Sequence, residues 1–292
     1  MSASKPPSPP PLSPSQSIEK NLINNRSTQE LLVDDDWQEL RQFTAARIAL
    51  GRAGASLPTD AMLAFQLAHA RARDAVHLEL NSEQIAREFS DSGFETLTVH
   101  SAAINRQMYL QRPDFGRTLS PTSRATLAEY AQQKSASCDI VFVIADGLSA
   151  LAIHHNAVPF TTTLVKKLRA DGWNIAPIVI ASQGRVAIGD EIGKLLNAKI
   201  AVVLIGERPG LSSPDSMGIY LTWAPQPGLT DAARNCISNV RAGGLSLAEA
   251  SYRLNYLLNE ASSRQLSGVE LKDESDGKAD VLDEARNFLI DN

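Results

Sequence analysis

The sequence predicts an α/β fold: a Rossmann-like, mainly parallel sheet with an N-terminal helical subdomain. Three observations carry that expectation. Beyond Ser120, short Val/Ile runs alternate with amphipathic segments. Those runs are continuously apolar, as strands buried on both faces must be, and helices between them imply right-handed crossovers. Residues 37–80 instead repeat their apolar positions at helical spacing.

The elements follow in chain order. Residues 1–36 open with Pro and Ser, a composition with little to bury against the entropy of ordering, and are expected to form a flexible tail. Within it, Ile18, Leu22, Ile23, Leu31 and Leu32 leave open a weak amphipathic helix or a solvated linker. Residues 37–119 are expected to be the helical subdomain. "DDDWQELRQFTAARIALG" opens on acidic residues suited to a helix N-terminus and closes at Gly51, and a second long helix starts near Thr59. Residues 120–268 carry the sheet: "DIVFVIADGLS", "WNIAPIVIASQG", "KIAVVLIGERPG" and "MGIYLTWAP" read as strands. "PFTTTLVKKLRADG", "GDEIGKLLNA" and "SLAEASYRLNYLLNEAS" read as helices. Residues 269–292 form an acidic extension, with an amphipathic turn or two in "DVLDEARNFLID".

Composition narrows the function. With 28 Lys and Arg against 33 Asp and Glu, the net charge of -5 disfavours phosphate backbones and anionic lipid as partners. Cys138 and Cys236 stand far apart with no Cys-x-x-Cys spacing, so no disulfide framework or zinc site is indicated and a reducing cytoplasm fits. No apolar run approaches the roughly 20 residues of a spanning helix.

In an open parallel sheet ligands bind beyond the carboxyl ends of the strands. Four such ends are expected: "ADGLS" (145–149), "SQGRVAIGD" (182–190), "GERPG" (206–210) and "WAPQPG" (223–228), the last after a presumed edge strand. Neither G-x-G-x-x-G nor a P-loop follows any strand, and "GLSAL" lacks the last glycine of a nucleophile elbow. His154 and His155 are adjacent and would diverge on either a helix or a strand, while His69 and His77 lack metal-binding spacing. No catalytic or metal-binding residue is therefore assigned.

Six blocks then occur in a telling order: "FTAARIALGRAG" (43–54), "RPDFGR" (112–117), "IADGLSA" (144–150), "GRVAIGDEIG" (184–193), "LIGERPGLSSPDSMGIYLTW" (204–223) and "NCISNVRAGGLSLAEA" (235–250). Together they resemble the light subunit of ethanolamine ammonia-lyase, over about residues 37–268. The resemblance implies a Rossmann-like subunit that holds adenosylcobalamin against a large TIM-barrel subunit in a hetero-oligomer. The barrel would carry the substrate site and the radical deamination of ethanolamine to acetaldehyde and ammonia. It further implies Val186, Glu207 and Cys236 as cofactor contacts. The cofactor's own base would be retained, since no Asp-x-His-x-x-Gly is present. Packing inside a bacterial microcompartment is also implied; residues 18–33 are then a candidate address, the alternative being a mere tail.

From the residues alone, Val186 reads first as core and Cys236 as an inert small hydrophobe, while Glu207 reads equally as half of an ion pair with Arg208 or nearby charges. Arg47, Arg52, Arg112 and Arg117 read either as solvated caps or as contacts to the large subunit. Two other functions stay open: a non-catalytic small-molecule-binding regulatory module, and an independent α/β transferase or hydrolase.

Overall fold

A computed structural model describes residues 32–134 and 137–275. The chain divides into two compact units, residues 1–68 and 69–292. The weak helix of residues 18–33 and the amphipathic turns beyond 280 fall almost wholly outside the described residues.

In the first unit, strands β1 (Leu32–Val33) and β2 (Arg52–Ala53) pair antiparallel. Gly51 enters β2 at φ +70°, where an added Cβ would meet the Val33 carbonyl oxygen at 2.6 Å. The helix expected over 37–51 is reduced to a 3-10 turn at Gln38–Gln42. Helical stability in water comes mostly from packing an apolar face, and here Trp37 and Phe43 are 67% and 59% exposed. Helix α1 (Thr59–His77) does begin at Thr59. Its apolar residues in this unit, Met62, Leu63, Phe65 and Leu67, are exposed as well.

The second unit is built on a six-stranded sheet, ordered β3-β5-β4-β6-β7-β8. Strands β3 (Thr96–His100), β4 (Cys138–Ala145), β5 (Ile178–Ser182) and β6 (Ala198–Gly206) run parallel. Strands β7 (Met217–Trp223) and β8 (Arg234–Val240) complete it antiparallel. Even-numbered residues of β4, such as Phe142 and Ile144, join one core with α2 (Ser82–Asp91), α5 (Ala150–Ala170) and α7 (Leu247–Arg264). Odd-numbered Val141 and Val143 join the other, with α4 (Pro121–Lys134) and α6 (Ile188–Leu195). Two helical layers thus sandwich the sheet, and the period-two alternation of strand side chains separates them. Side-chain caps start the helices on the first face: Ser149 Oγ accepts from Ala152 N–H (3.2 Å) and Ser246 Oγ from Glu249 N–H (3.2 Å).

Two sequence expectations change. The sheet gains β3 from the stretch expected to be helical, because "TLTVH" alternates and buries Val99 while Thr98 stays exposed, the pattern of a strand covered on one face. Strand β7 is not the edge: β8 pairs outside it. Since β7 runs against β6, with Ile200 opposite Trp223 and Gly206 opposite Met217, the 223–228 turn lies at the far end of the sheet. Of the four strand-end loops expected, three lie at the carboxyl ends of the parallel strands, and the loop after β3 joins them there.

Candidate functional site

The chain leaves β4 for α5 on one face and leaves the adjacent β5 for α6 on the other. Such divergence opens a crevice between neighbouring strand ends. Asp146 fills its floor. Fully buried, its carboxylate accepts from Gln183 N–H (3.0 Å) and Gly184 N–H (2.9 Å), tying the first loop to the second. Arg106, at the start of α3 (Arg106–Gln111), reaches in from the side. It donates to Gly147 O (2.8 Å) and Val76 O (2.7 Å), and approaches Asp146 Oδ2 at 3.4 Å. Burial pushes the Asp146 carboxyl up to about 6, although Arg106 and the two amides pull the other way.

The third loop is bound to the first. Leu148 N–H donates to Gly206 O (2.9 Å), Ser149 Oγ–H to Pro214 O (2.6 Å), and Asn156 Nδ2–H to Asp215 O (3.0 Å). Gly147, at φ +55°, leaves no room for a side chain: a Cβ would lie 2.2 Å from Gly206 O. After Gly206 the chain turns from burial to cross-links: Gly206 O serves the turn before α5, and the Glu207 side chain reaches β8. Glu207 makes the last of these links. Its N–H donates to Ser216 O (3.0 Å), and its carboxylate accepts from Ser216 Oγ–H and from Asn239 N–H at 3.3 and 3.4 Å. Glu207 is therefore not half of a local ion pair with Arg208; it joins the end of β6 to the end of β8.

Glu207 and Cys236 come together around a residue the sequence did not single out. Tyr220 faces Cys236 across the β7–β8 ladder, and its hydroxyl interacts with the thiol. Partial burial, the thiol and the Glu207 carboxylate all push the phenol upward. Enclosure of the sulfur and the same carboxylate push the Cys236 thiol upward, while the Tyr220 hydroxyl opposes them; the residue as a whole is exposed. Gly218, buried beneath them, lets both side chains pack closely, since a Cβ would approach Glu207 Oε1 at 3.0 Å and the Tyr220 ring at 3.2 Å.

Val186 lies apart from these two, half-buried at the approach to α6. It lines a cavity of about 550 Å³ with Arg117, Arg185, Asp190, Thr230 and Arg234. In that wall Arg234 grips Asp190 through two hydrogen bonds (2.6 and 2.7 Å), both side chains buried. His154 is occupied elsewhere, with its Nε2 accepting from Asn81 N–H (3.3 Å). Among the described residues no three His, Cys, Asp or Glu are placed to hold a metal ion, and no helix is long and apolar enough to cross a membrane.

Residues 34–272 match the family model for the ethanolamine ammonia-lyase light chain. The chain belongs to the ethanolamine ammonia-lyase light-chain family. Similar relatives are the ethanolamine ammonia-lyase small subunit of Pseudomonas putida, 55% identical over 88% of this chain and 96% of the relative, and that of Pseudomonas fluorescens, 57% identical over 87% and 94%. The small subunit of Pseudomonas syringae pv. tomato is 56% identical over 87% and 92%. The light-chain match takes in the crowning loops and every strand of the six-stranded sheet, and omits most of the Pro/Ser-rich start and the acidic end. Sequence reasoning missed the Asp146–Arg106 and Asp190–Arg234 pairs, whose partners lie 40 and 44 positions apart. Asp146 was visible only as part of "ADGLS", and nothing local pointed to Arg106.

Proposed function

We propose that this chain is the coenzyme-holding small subunit of an adenosylcobalamin-dependent ethanolamine ammonia-lyase, acting against a large TIM-barrel subunit in a hetero-oligomer. The observation that carries the reading is the family match across residues 34–272, which includes the loops crowning the sheet. Bound adenosylcobalamin would supply the cobalt–carbon bond whose cleavage begins radical deamination of ethanolamine to acetaldehyde and ammonia.

The proposed coenzyme contacts are Val186, Glu207 and Cys236. The β7–β8 surface suits a ligand edged with carboxamides: the Glu207 carboxylate accepts from N–H donors, and exposed Cys236 adds a small polarisable atom. Glu207 is pre-oriented by Ser216 and Asn239, so it meets a ligand without first losing rotamer freedom. Residues 37–119 are assigned the partner contact, where exposed Trp37 and Phe43 offer the aromatic surface interfaces favour. Residues 120–268 are assigned the coenzyme. Residues 18–33 are assigned as an address for a protein-shelled compartment; deleting 1–33 should alter encapsulation and spare activity.

Reconstitution tests the whole reading. Ammonia should form from ethanolamine only when this chain, the large subunit and adenosylcobalamin are combined. Ammonia release by the large subunit with coenzyme alone, at the rate of the full mixture, would reject it.

A further inference from the structure

The cavity beside Val186 is lined by two guanidinium groups that make no ion pair among the described residues. Each of its carboxylates is taken: Asp190 by Arg234, Glu191 by Arg124 and Leu119 N–H (2.8 Å), and Asp231 by Arg234 Nε at 3.5 Å. Arg117 and Arg185 line the same cavity, and neither has an ion-pair partner among the described residues. Arg185 Nε is buried without a hydrogen-bond acceptor, so the protein itself leaves part of this guanidinium's donor capacity unused.

Arg185 is also held in place. Its N–H donates to Gly116 O (2.7 Å), and its guanidinium lies over the Tyr109 ring, 4.3 Å from the centroid. Tyr109 is itself fixed by donation from its hydroxyl to Gly184 O (3.1 Å). Gly116 makes the fit possible, since a Cβ there would come within 2.9 Å of both Arg185 Cγ and the Tyr109 ring. Arg117 follows Gly116 directly. The "RPDFGR" block thus supplies one guanidinium of the cavity and clamps the other.

We propose that Arg117 and Arg185 form a subsite for a phosphate-class anion in this cavity. Guanidinium forks match phosphate oxygens in geometry and are the usual choice where such an anion must be oriented. A volume of about 550 Å³ accommodates the anion with the organic group that carries it. The anion has two sources: a phosphodiester such as the one in the nucleotide arm of cobalamin, or free phosphate. The first rests on the functional reading above; the second does not.

Two titrations test it. In the first, the full chain is titrated with inorganic phosphate and, as control, acetate, followed by phosphorus and carbon NMR. The double variant R117Q/R185Q should weaken phosphate binding about tenfold or more, the scale of losing charge-assisted hydrogen bonds. Gly116→Ala, which keeps both charges but displaces Arg185, should weaken it severalfold, and Arg185→Lys should fall between wild type and Arg185→Gln. In the second, the assembled two-subunit complex is titrated spectroscopically with cobalamin and with cobinamide, which lacks the nucleotide arm. The double variant should lose about tenfold for cobalamin and nothing for cobinamide. Phosphate and cobalamin binding both unchanged in the double variant, or acetate bound as tightly as phosphate, overturns the subsite. Equal loss for both corrinoids with phosphate unchanged also overturns it. Loss of phosphate binding alone, with cobalamin unaffected, supports the subsite and assigns it to a free anion. Failure of wild-type complex to bind either corrinoid, with phosphate binding still dependent on the two arginines, rejects the coenzyme reading and keeps the subsite.

Discussion

Asp146 and Arg234 make opposite use of buried charge. Asp146 is fully enclosed yet gets only a long contact from Arg106, so its carboxyl titrates near 6, above the ordinary carboxylate range. The folded state therefore holds a proton that the unfolded state releases between about pH 4 and pH 6. The stability this proton contributes is present at low pH and lost as pH rises through about 6, on the order of 3 kcal/mol at most. Asp146→Asn should remove that slope. Calorimetric unfolding of the two proteins from pH 4 to pH 8 should give curves whose separation changes below about pH 6 and is constant above it. Arg234 and Asp190 have short, paired hydrogen bonds, and Thr222 Oγ1 accepts another from Arg234 (3.1 Å). Removing either partner strands a buried charge, so Arg234→Ala or Asp190→Ala should cost about 3–5 kcal/mol, measured by the urea midpoint. The amide-to-carboxylate ties of Asp146 were illegible in the sequence because a carboxylate in "ADGLS" announces a loop but not the amides 37 and 38 positions away that it will bind.

At the scale of elements, the strands that were easiest to read are those covered on both sides. β4, β5 and β6 are continuous apolar runs because helices lie over each face, and their Val/Ile content and short length favour strands. β3 and β8 lie at the edges, and "TLTVH" and "RNCISNV" carry polar residues that a pattern search assigns to loops. The crossing of the first and third strand-end loops depends on a single missing side chain. Gly147→Ala would drive a methyl group into the Gly206 carbonyl and Ile205 while forcing an L-residue to φ +55°. Destabilisation above about 2 kcal/mol is expected, together with loss of the Leu148 N–H bond to Gly206, read as faster hydrogen exchange at Leu148 in the variant than in the wild type, with Val143 of β4 as the internal control. The helix expected over 37–51 fails for the complementary reason: its spacing is right, but Trp37 and Phe43 stay largely exposed, so its apolar face is not buried.

Three loops and β8 converge on one end of the sheet, but the surface around Tyr220 and Cys236 remains open. If a coenzyme lies between this face and a larger partner, the exposed Cys236 thiol should react with iodoacetamide in the isolated chain. It should do so slowly at neutral pH, because enclosure and Glu207 hold the thiol upward. Assembly with the large subunit and coenzyme should slow the reaction at least about tenfold, read by mass spectrometry of the labelled peptide. Cys138, buried beneath Leu196, should stay unlabelled throughout. An unchanged Cys236 rate on assembly would place the coenzyme elsewhere.

The sequence by itself determined the α/β alternation, the positions of β4 to β7, the start of α1 at Thr59 and the family, because buried strands and ordered motifs write their physics locally. Only the tertiary structure decided which strand ends share a crevice, that the 223–228 turn faces away from it, and that Glu207 meets Cys236 across Tyr220 while Val186 sits in a separate arginine-lined cavity. Strand order, direction and long-range charge pairing depend on contacts between residues dozens of positions apart, and no local spacing encodes them.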